Sequence, residues 1–393
     1  SRVTRAWWTR WCGGNSNAMR IVQINSVPNL STGTVMLENH KRDLAEGHES
    51  WRMWGRGREA ENEYEFKFGT NLGVKIDVLE TRMVGRPGFH SKAATKQLLA
   101  KLNEIKPDLV HLHNIHGYYV NVEMLFEWLS QNDCMVEWTL HDCWAFTGHC
   151  AYFTYAQCDQ WKTGCACSND CPQIRAYPKT FSSSSAKWSY ARKKQVFSSL
   201  PSDRMKLITP SRWLADLTRQ SYLSKYPVEV IYNTIDSSVF RRTDSDFRSR
   251  YQLTGQYIVL GVASVWDDRK GLVDLLRLKE DLGKAVSVVL VGLSRKQLKM
   301  LPDGVLGFER TSSQQELAEI YSAVDLFFNP TREDNYPTTL LEAESCGCPV
   351  LTYDVGGCKE GISMKRSRAV ASFEEAKSYV REMLKEKNKE QFN

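Results

Sequence analysis

From Met19 onward, short apolar and β-branched runs alternate with helical stretches, and they do so in two successive series. The first series opens with "MRIVQINS", which reads as a buried strand, followed by the loop "VPNLSTGT" and a helix from Val35 to Glu46 closed by Gly47. A helix around Lys92 to Ile105, the strand "DLVHLHN", a helix around Val122 to Ser130 and the strands "CMVEWTLHD" and "KLITPS" follow. The second series runs "YIVLGVAS", a helix from Gly271, "VSVVLVG", the helix "SQQELAEIYSAV", "DLFFNP", the helix "TTLLEAESCG" and "PVLTYD". Parallel strands need long crossovers that lay helices on the sheet faces, so this alternation predicts an α/β chain of two parallel-sheet halves. The break is expected near Asn233 to Ser238. The terminal helix "FEEAKSYVREMLKEKNKE" is expected to cross back to the first half. Ligands of open parallel sheets bind beyond the carboxyl ends of the strands, so two facing halves would hold a site in the cleft between them.

A length of 393 residues suits two domains, and 42% hydrophobic with 25% charged residues is the balance of an ordinary globular protein. No apolar run approaches the roughly 20 residues of a spanning helix. The net charge is +6, but Arg2, Arg5 and Arg10 stand in the first eighteen residues with no acid, leaving +3 from Met19 onward. Bulk charge therefore gives no argument for nucleic acid as a partner. Residues 1–18, "SRVTRAWWTRWCGGNSNA", lack the apolar core of a secretory signal and read as an expression-vector lead outside the fold.

The richest segment is "NPTREDNYPTTLLEAESCGCPVLTYDVGG", from Asn329 to Gly357. Pro337 suits the first position of a helix, and the N–H groups around Tyr336 to Thr339 would point out of the helix start, where anions bind. One turn later Leu341 can face the core while Glu342 faces the cleft, where a carboxylate can accept from the vicinal hydroxyls of a ribose.

These residues resemble family 4 of the glycosyltransferases, retaining enzymes with the two-domain GT-B fold. That signature places an acid, seven intervening residues and a glutamate before an "A-x-A/S-C-G-x-P-V" run. Asp334 and Glu342 hold the two acidic places, although many relatives have glutamate, glycine and an aromatic where this chain has Asp334, Asn335 and Tyr336. "PDLVHLHNIHGYYVN" and "TLHDCWAFTGHC" resemble a branch associated with capsular and exopolysaccharide assembly.

The resemblance implies a fold of two Rossmann-like domains facing a cleft. It implies an acceptor-side domain over 19–235 with a Cys-rich insertion at 143–171, a nucleotide-sugar domain over 236–372 and the returning helix over 373–393. It implies that Glu342 binds the donor ribose, that His141 lies beside the donor sugar, and that Asp334 stands near that sugar. In "SVWDDRKGL" the family's cations are represented by Arg269 and Lys270, which would neutralise the departing diphosphate together with the helix start at Asn335, Tyr336, Pro337 and Thr338. Gly33, in "NLSTGTVM", stands where relatives carry a fuller glycine run against the donor; an ordinary turn explains it equally.

The implied reaction moves a hexosyl unit from a nucleoside diphosphate sugar to a saccharide or lipid-linked acceptor. The diphosphate itself accepts the acceptor proton, and no cofactor is required. The rivals are a sugar-nucleotide epimerase on the same scaffold and a non-catalytic sugar-binding or assembly protein. The expected location is the cytoplasm, at the inner face of the membrane.

Two segments stay open. Cys150, Cys158, Cys165 and Cys171, with Cys167 or His149 as alternates, could close a structural zinc site of four thiolates, or be reduced, packed thiols. "KWSYARKKQVF", from Lys187, could lie on an anionic membrane surface or be a basic helix packed on its own domain.

Overall fold

The computed structural model describes residues 18–29, 32–166, 171–182 and 184–392. The expected lead, apart from residue 18, and Cys167 lie outside them. Contacts divide the chain into two compact units.

In the first half of the chain the elements are β1 (Arg20–Asn25), α1 (Thr32–Ala45), β2 (Glu49–Trp54), β3 (Glu65–Lys67), α2 (Asn71–Val84) and α3 (Lys92–Ile105). Then come β4 (Leu109–Leu112), α4 (Val122–Gln131), β5 (Met135–Thr139), α5 (Ser185–Phe197), β6 (Met205–Thr209), α6 (Arg212–Arg219) and β7 (Val228–Val230). The sheet order is β3-β2-β1-β4-β5-β6-β7. Both faces of its central strands are covered, and so β4 and β5 are buried at every residue instead of alternating. Local signals place the helices: Gly47 takes a φ of 84° just past α1, and the Asn121 side chain caps α4 by accepting from Met124 N–H.

The second half adds α7 (Phe247–Arg250), β8 (Tyr257–Val262), α8 (Leu272–Leu282), β9 (Val286–Val291), α9 (Arg295–Leu298), β10 (Val305–Phe308) and α10 (Gln314–Ala323). It ends with β11 (Leu326–Asn329), α11 (Thr338–Ser345), β12 (Val350–Tyr353), β13 (Arg368–Val370) and α12 (Phe373–Phe392). The order is β10-β9-β8-β11-β12-β13, and every pair is parallel. In both sheets the order reverses beside the first strand of the series, between β1 and β4 and between β8 and β11. That reversal is the topological switch point of a Rossmann-like sheet, where the loops at the strand ends diverge and leave room for a ligand.

Two expectations about domain limits are corrected. The second unit begins at Val230 and also takes Tyr152–Cys158 and Thr209–Leu217, so its boundary is not a single break near residue 235. The terminal helix does not belong to the first half. Phe373, Ala376, Tyr379 and Val380 recur at helical spacing and are buried in the core of the second unit with Leu275, Leu278 and Tyr257. Lys377 bridges Asp281 at 2.9 Å, and Lys387 bridges Asp325 at 2.7 Å. Among the described residues no helix is long and apolar enough to cross a membrane.

Candidate active site

In the first unit the loops leaving β1 and β4 are tied at the switch point by Asn25. Its amide donates to Val27 O at 3.0 Å and to Thr32 Oγ1 at 3.1 Å, and its oxygen accepts from Asn114 N–H at 3.2 Å. Gly33 is explained by this loop, because a Cβ there would lie 2.8 Å from Val27 O and 2.9 Å from the Pro28 carbonyl carbon. The close approach is made by the chain's own backbone, which is the turn reading of the glycine.

His141 follows β5 and lines a cavity with His113, Asn114, His116, Asp142 and Trp144. Its tautomer follows from a buried chain of hydrogen bonds that begins on α1. Gln23 donates its amide N–H to Asp43 Oδ2 at 2.6 Å, so its oxygen is turned the other way. That oxygen stands 3.0 Å from His113 Nε2, which must therefore carry a proton. His113 Nδ1 is then an acceptor, and it receives the Nε2–H of His141 at 3.3 Å. Nδ1 of His141 is left as the acceptor nitrogen. Burial keeps these rings neutral, lowering His141 to about 4 and His113 well below its ordinary value. His111 stacks on His113 with 4.4 Å between ring centroids and bonds Thr139 Oγ1 at 2.8 Å.

A second imidazole stands in the same cavity. His116 Nε2 donates to Asp142 Oδ2 at 2.8 Å, and its Nδ1 lies 3.2 Å from the Tyr177 hydroxyl. Burial pushes the Asp142 carboxyl up, but His116 and the Trp144 N–H outweigh it and the net shift is downward. Lys193 supports this wall from behind: fully buried on α5, it bonds Trp144 O at 2.5 Å and lies 4.0 Å from the Trp144 ring centroid.

In the second unit the loops after β8 and β11 are knitted together. Arg332 N–H donates to Arg269 O at 2.8 Å, and the Arg269 guanidinium donates to Glu333 O at 2.8 Å. Gly271, with φ 73°, packs so closely that a Cβ would meet Pro330 O at 2.2 Å. Lys270 Nζ reaches Asp334 Oδ2 at 2.5 Å, with Arg269 at 3.7 Å from the same oxygen. Burial raises the Asp334 carboxyl, yet Lys270 and Arg269 prevail and hold it below the usual carboxylate range. The structure thus brings Arg269, Lys270 and Asp334 into one cluster.

Asn335 and Tyr336 are buried, Asn335 accepting from Ser211 Oγ at 2.5 Å and Tyr336 O from Asn233 at 3.3 Å. Pro337, expected inside the helix, caps it from an extended conformation with ψ 124°, and Thr338 is the first residue of α11. One turn on, Glu342 accepts from Thr338 Oγ1 at 3.1 Å and faces the Tyr321 hydroxyl at 3.5 Å. Burial pushes its carboxyl up to about 7, against the pull of those two hydroxyls.

Several contributors were not among the expected residues. Glu333 is buried and accepts from Thr154 Oγ1 at 3.0 Å and Tyr155 N–H at 2.8 Å, while Tyr152 stacks 5.1 Å from Arg269. The sequence signal was present for His113, His116 and Asp142, which stand at strand ends in "HLHNIH" and "LHD". For Asp43 and Tyr152 it was absent.

Among the described residues no three His, Cys, Asp or Glu side chains stand together as metal ligands would. Cys165 Sγ accepts from Gly148 N–H at 3.1 Å. The basic stretch from Lys187 is α5, which buries Ala186, Ser189, Lys193, Val196 and Phe197 in its own unit.

Residues 256–385 match the family model described as Glycosyl transferases group 1. Over 371 residues the chain is 25% identical to a protein of Escherichia coli (strain K12) named as the colanic acid biosynthesis glycosyl transferase WcaC, covering 91% of this chain and 88% of that one. Among solved structures, sucrose-phosphate synthase from Thermosynechococcus elongatus superposes with a TM-score of 0.68 at 14% identity, covering 93% of this chain and 90% of that one. Anabaena Alr3699/HepE in complex with UDP-glucose gives 0.60 at 13%, covering 94% and 91%. With two Rossmann-ordered parallel sheets, a group 1 match across the second unit and a glycosyl transferase relative along nearly the whole length, the chain is a glycosyltransferase of the GT-B fold.

Proposed function

We propose that the enzyme is a retaining hexosyltransferase that takes its sugar from a nucleoside diphosphate donor and passes it to a saccharide or lipid-linked saccharide in cell-surface polysaccharide synthesis. One observation carries this reading: the switch point of the second unit joins Arg269 and Lys270, anchored on Asp334, to a helix start and to Glu342 one turn inside α11. The cations meet the charge that grows on the departing diphosphate, and Asp334 holds them in place before the reaction begins. They supply the charge stabilisation from side chains, so the reading calls for no cofactor. Glu342 takes the ribose hydroxyls, and its carboxylate replaces the bond from Thr338 with bonds from the sugar. In the first unit His141 offers a sugar hydroxyl a neutral imidazole with a defined acceptor nitrogen.

The Escherichia coli relative supports exopolysaccharide as the pathway class, and the UDP-glucose complex of the Anabaena structure supports the donor class. The reaction is placed on the cytoplasmic face of the membrane, where sugar nucleotides are made. No specific observation favours the epimerase or the non-catalytic protein.

The test is a thermal-shift screen of nucleoside diphosphate sugars, followed by measurement of nucleoside diphosphate release without acceptor. A donor that binds the native state raises the melting temperature. A panel in which none raises it and none is hydrolysed overturns the proposal.

A further inference from the structure

Helix α2 is built the wrong way round for a protein in water. Its inward residues are polar: Asp77 and Thr81 are buried, Thr81 Oγ1 donates to Asp77 at 3.1 Å, and Ser91 Oγ bonds the other carboxylate oxygen. Its outward face carries an apolar stripe. Leu72, Ile76, Leu79 and Met83 follow the i, i+4, i+7, i+11 spacing of one helical stripe and are 67%, 48%, 57% and 66% exposed. The helix is firmly terminated at both ends, by the Thr70 side chain accepting from Gly73 N–H and by Gly85 at φ 76°. The stripe is therefore the deliberate face of an ordered element.

The apolar surface continues past the helix. Phe181, 62% exposed, is fixed beside its end by donating its N–H to Arg82 O at 2.8 Å. Cations border it: Lys75 lies three residues from Leu72 and four from Leu79, and Arg82 three from Leu79. Arg86 stacks 4.2 Å from the Trp188 ring centroid, and Lys179 lies 5.6 Å from that of Phe181. The one carboxylate on the outward face, Glu80, is within 3.4 Å of His90 Nδ1.

We propose that this face, α2 with Phe181, docks the first unit on an anionic phospholipid surface. The apolar stripe enters the boundary between headgroups and acyl chains, and Lys75, Arg82, Arg86 and Lys179 meet the phosphates. The occupant is identified by charge: four bordering cations outnumber the single outward carboxylate, Glu80, and match a negative surface. The inference deepens the reading of a lipid-linked acceptor and rests on it for its biological sense, while the binding itself is testable without it.

Full-length protein is sedimented with vesicles of phosphatidylcholine alone and of phosphatidylcholine with phosphatidylglycerol, alongside the surface variants Leu79→Glu/Met83→Glu and Arg82→Glu/Arg86→Glu. Wild type is expected to bind the anionic vesicles and not the neutral ones. The apolar double variant is expected to lose about tenfold or more in partitioning, and each charge reversal about fivefold or more. Both variants should keep the melting temperature and the donor hydrolysis of wild type, because none of the four residues touches the sites described above. Wild type that ignores anionic vesicles, or variants that bind as wild type does, overturn the proposal. So does a wild-type dimer that the Leu79→Glu/Met83→Glu change dissociates, which would assign the stripe to a second copy. Loss of vesicle binding with donor hydrolysis intact supports docking, and absence of hydrolysis in every protein tells against the transferase reading alone.

Discussion

Replacing Gln23 with leucine removes the group that decides where His113 keeps its proton. Two hydrogen bonds are lost, at 2.6 and 3.0 Å, leaving the His113 Nε2–H without an acceptor and Asp43 with only the Ser50 hydroxyl at 3.4 Å. Each buried polar group left unpaired costs about 1–3 kcal/mol, and the leucine recovers part of that by apolar burial, so a net loss of about 2–4 kcal/mol is expected. His113 can relieve its share by moving the proton to Nδ1. That proton would then face the Nε2–H of His141, so His141 must move its own proton to Nδ1 and lose its acceptor nitrogen. The assay is nitrogen-15 spectroscopy of imidazole-labelled protein, which separates protonated from unprotonated ring nitrogens. Wild-type His141 should show protonated Nε2 and unprotonated Nδ1, and Gln23→Leu should reverse or mix the two. Gln23→Glu, which shares a proton with Asp43 across the 2.6 Å contact and still accepts from Nε2–H with its other oxygen, should restore the wild-type signature at His113 and His141. A folded Gln23→Leu protein with an unchanged His141 signature would refute the relay.

Glu342→Gln is expected to weaken donor binding by about 1.5–3 kcal/mol per charged hydrogen bond lost, measured by calorimetric titration. The Glu342 carboxyl titrates near 7, above its unfolded value. Its contribution to stability is therefore full at pH 4 and is lost as pH rises through 7. Binding through the ionised form should strengthen over the same interval, and the glutamine variant should flatten both profiles. Arg269→Ala and Lys270→Ala are expected to lower turnover on the order of 100-fold with smaller effects on melting temperature, and a double variant with wild-type turnover would remove both from catalysis. Val380→Asp should unfold the second unit, because it puts a charge into the core that α12 closes; a wild-type melting curve would show that the helix is dispensable there.

Much of this protein is written locally. Strands buried on both faces read as short, predominantly apolar runs, so β4, β5, β8, β9, β11 and β12 stand out of the sequence despite His111 in β4, Glu137 in β5 and Ser287 in β9, and helices such as α3 begin and end where their apolar period does. The acid spacing of Asp334 and Glu342 and the pair Arg269 and Lys270 are likewise legible, because each lies on one loop or one helical turn. Strand β2 is different. "ESWRMW" carries Arg52, which is tolerable inside only because Glu65 on the neighbouring strand β3 pairs with it. Helix α2 shows an apolar period that by itself indicates a core face, and only the packing of Asp77 and Thr81 reveals that the period points outward. The terminal helix has an equally clear stripe, but its partner was decided by which core lacked a cover. The tautomer of His141 depends on His113, Gln23 and Asp43, which lie up to 118 positions from it in a chain of 393. Periodicity reports which residues avoid water along one element. Which surface they meet, and which proton a buried ring keeps, depend on groups that only the folded sheet brings within hydrogen-bond distance.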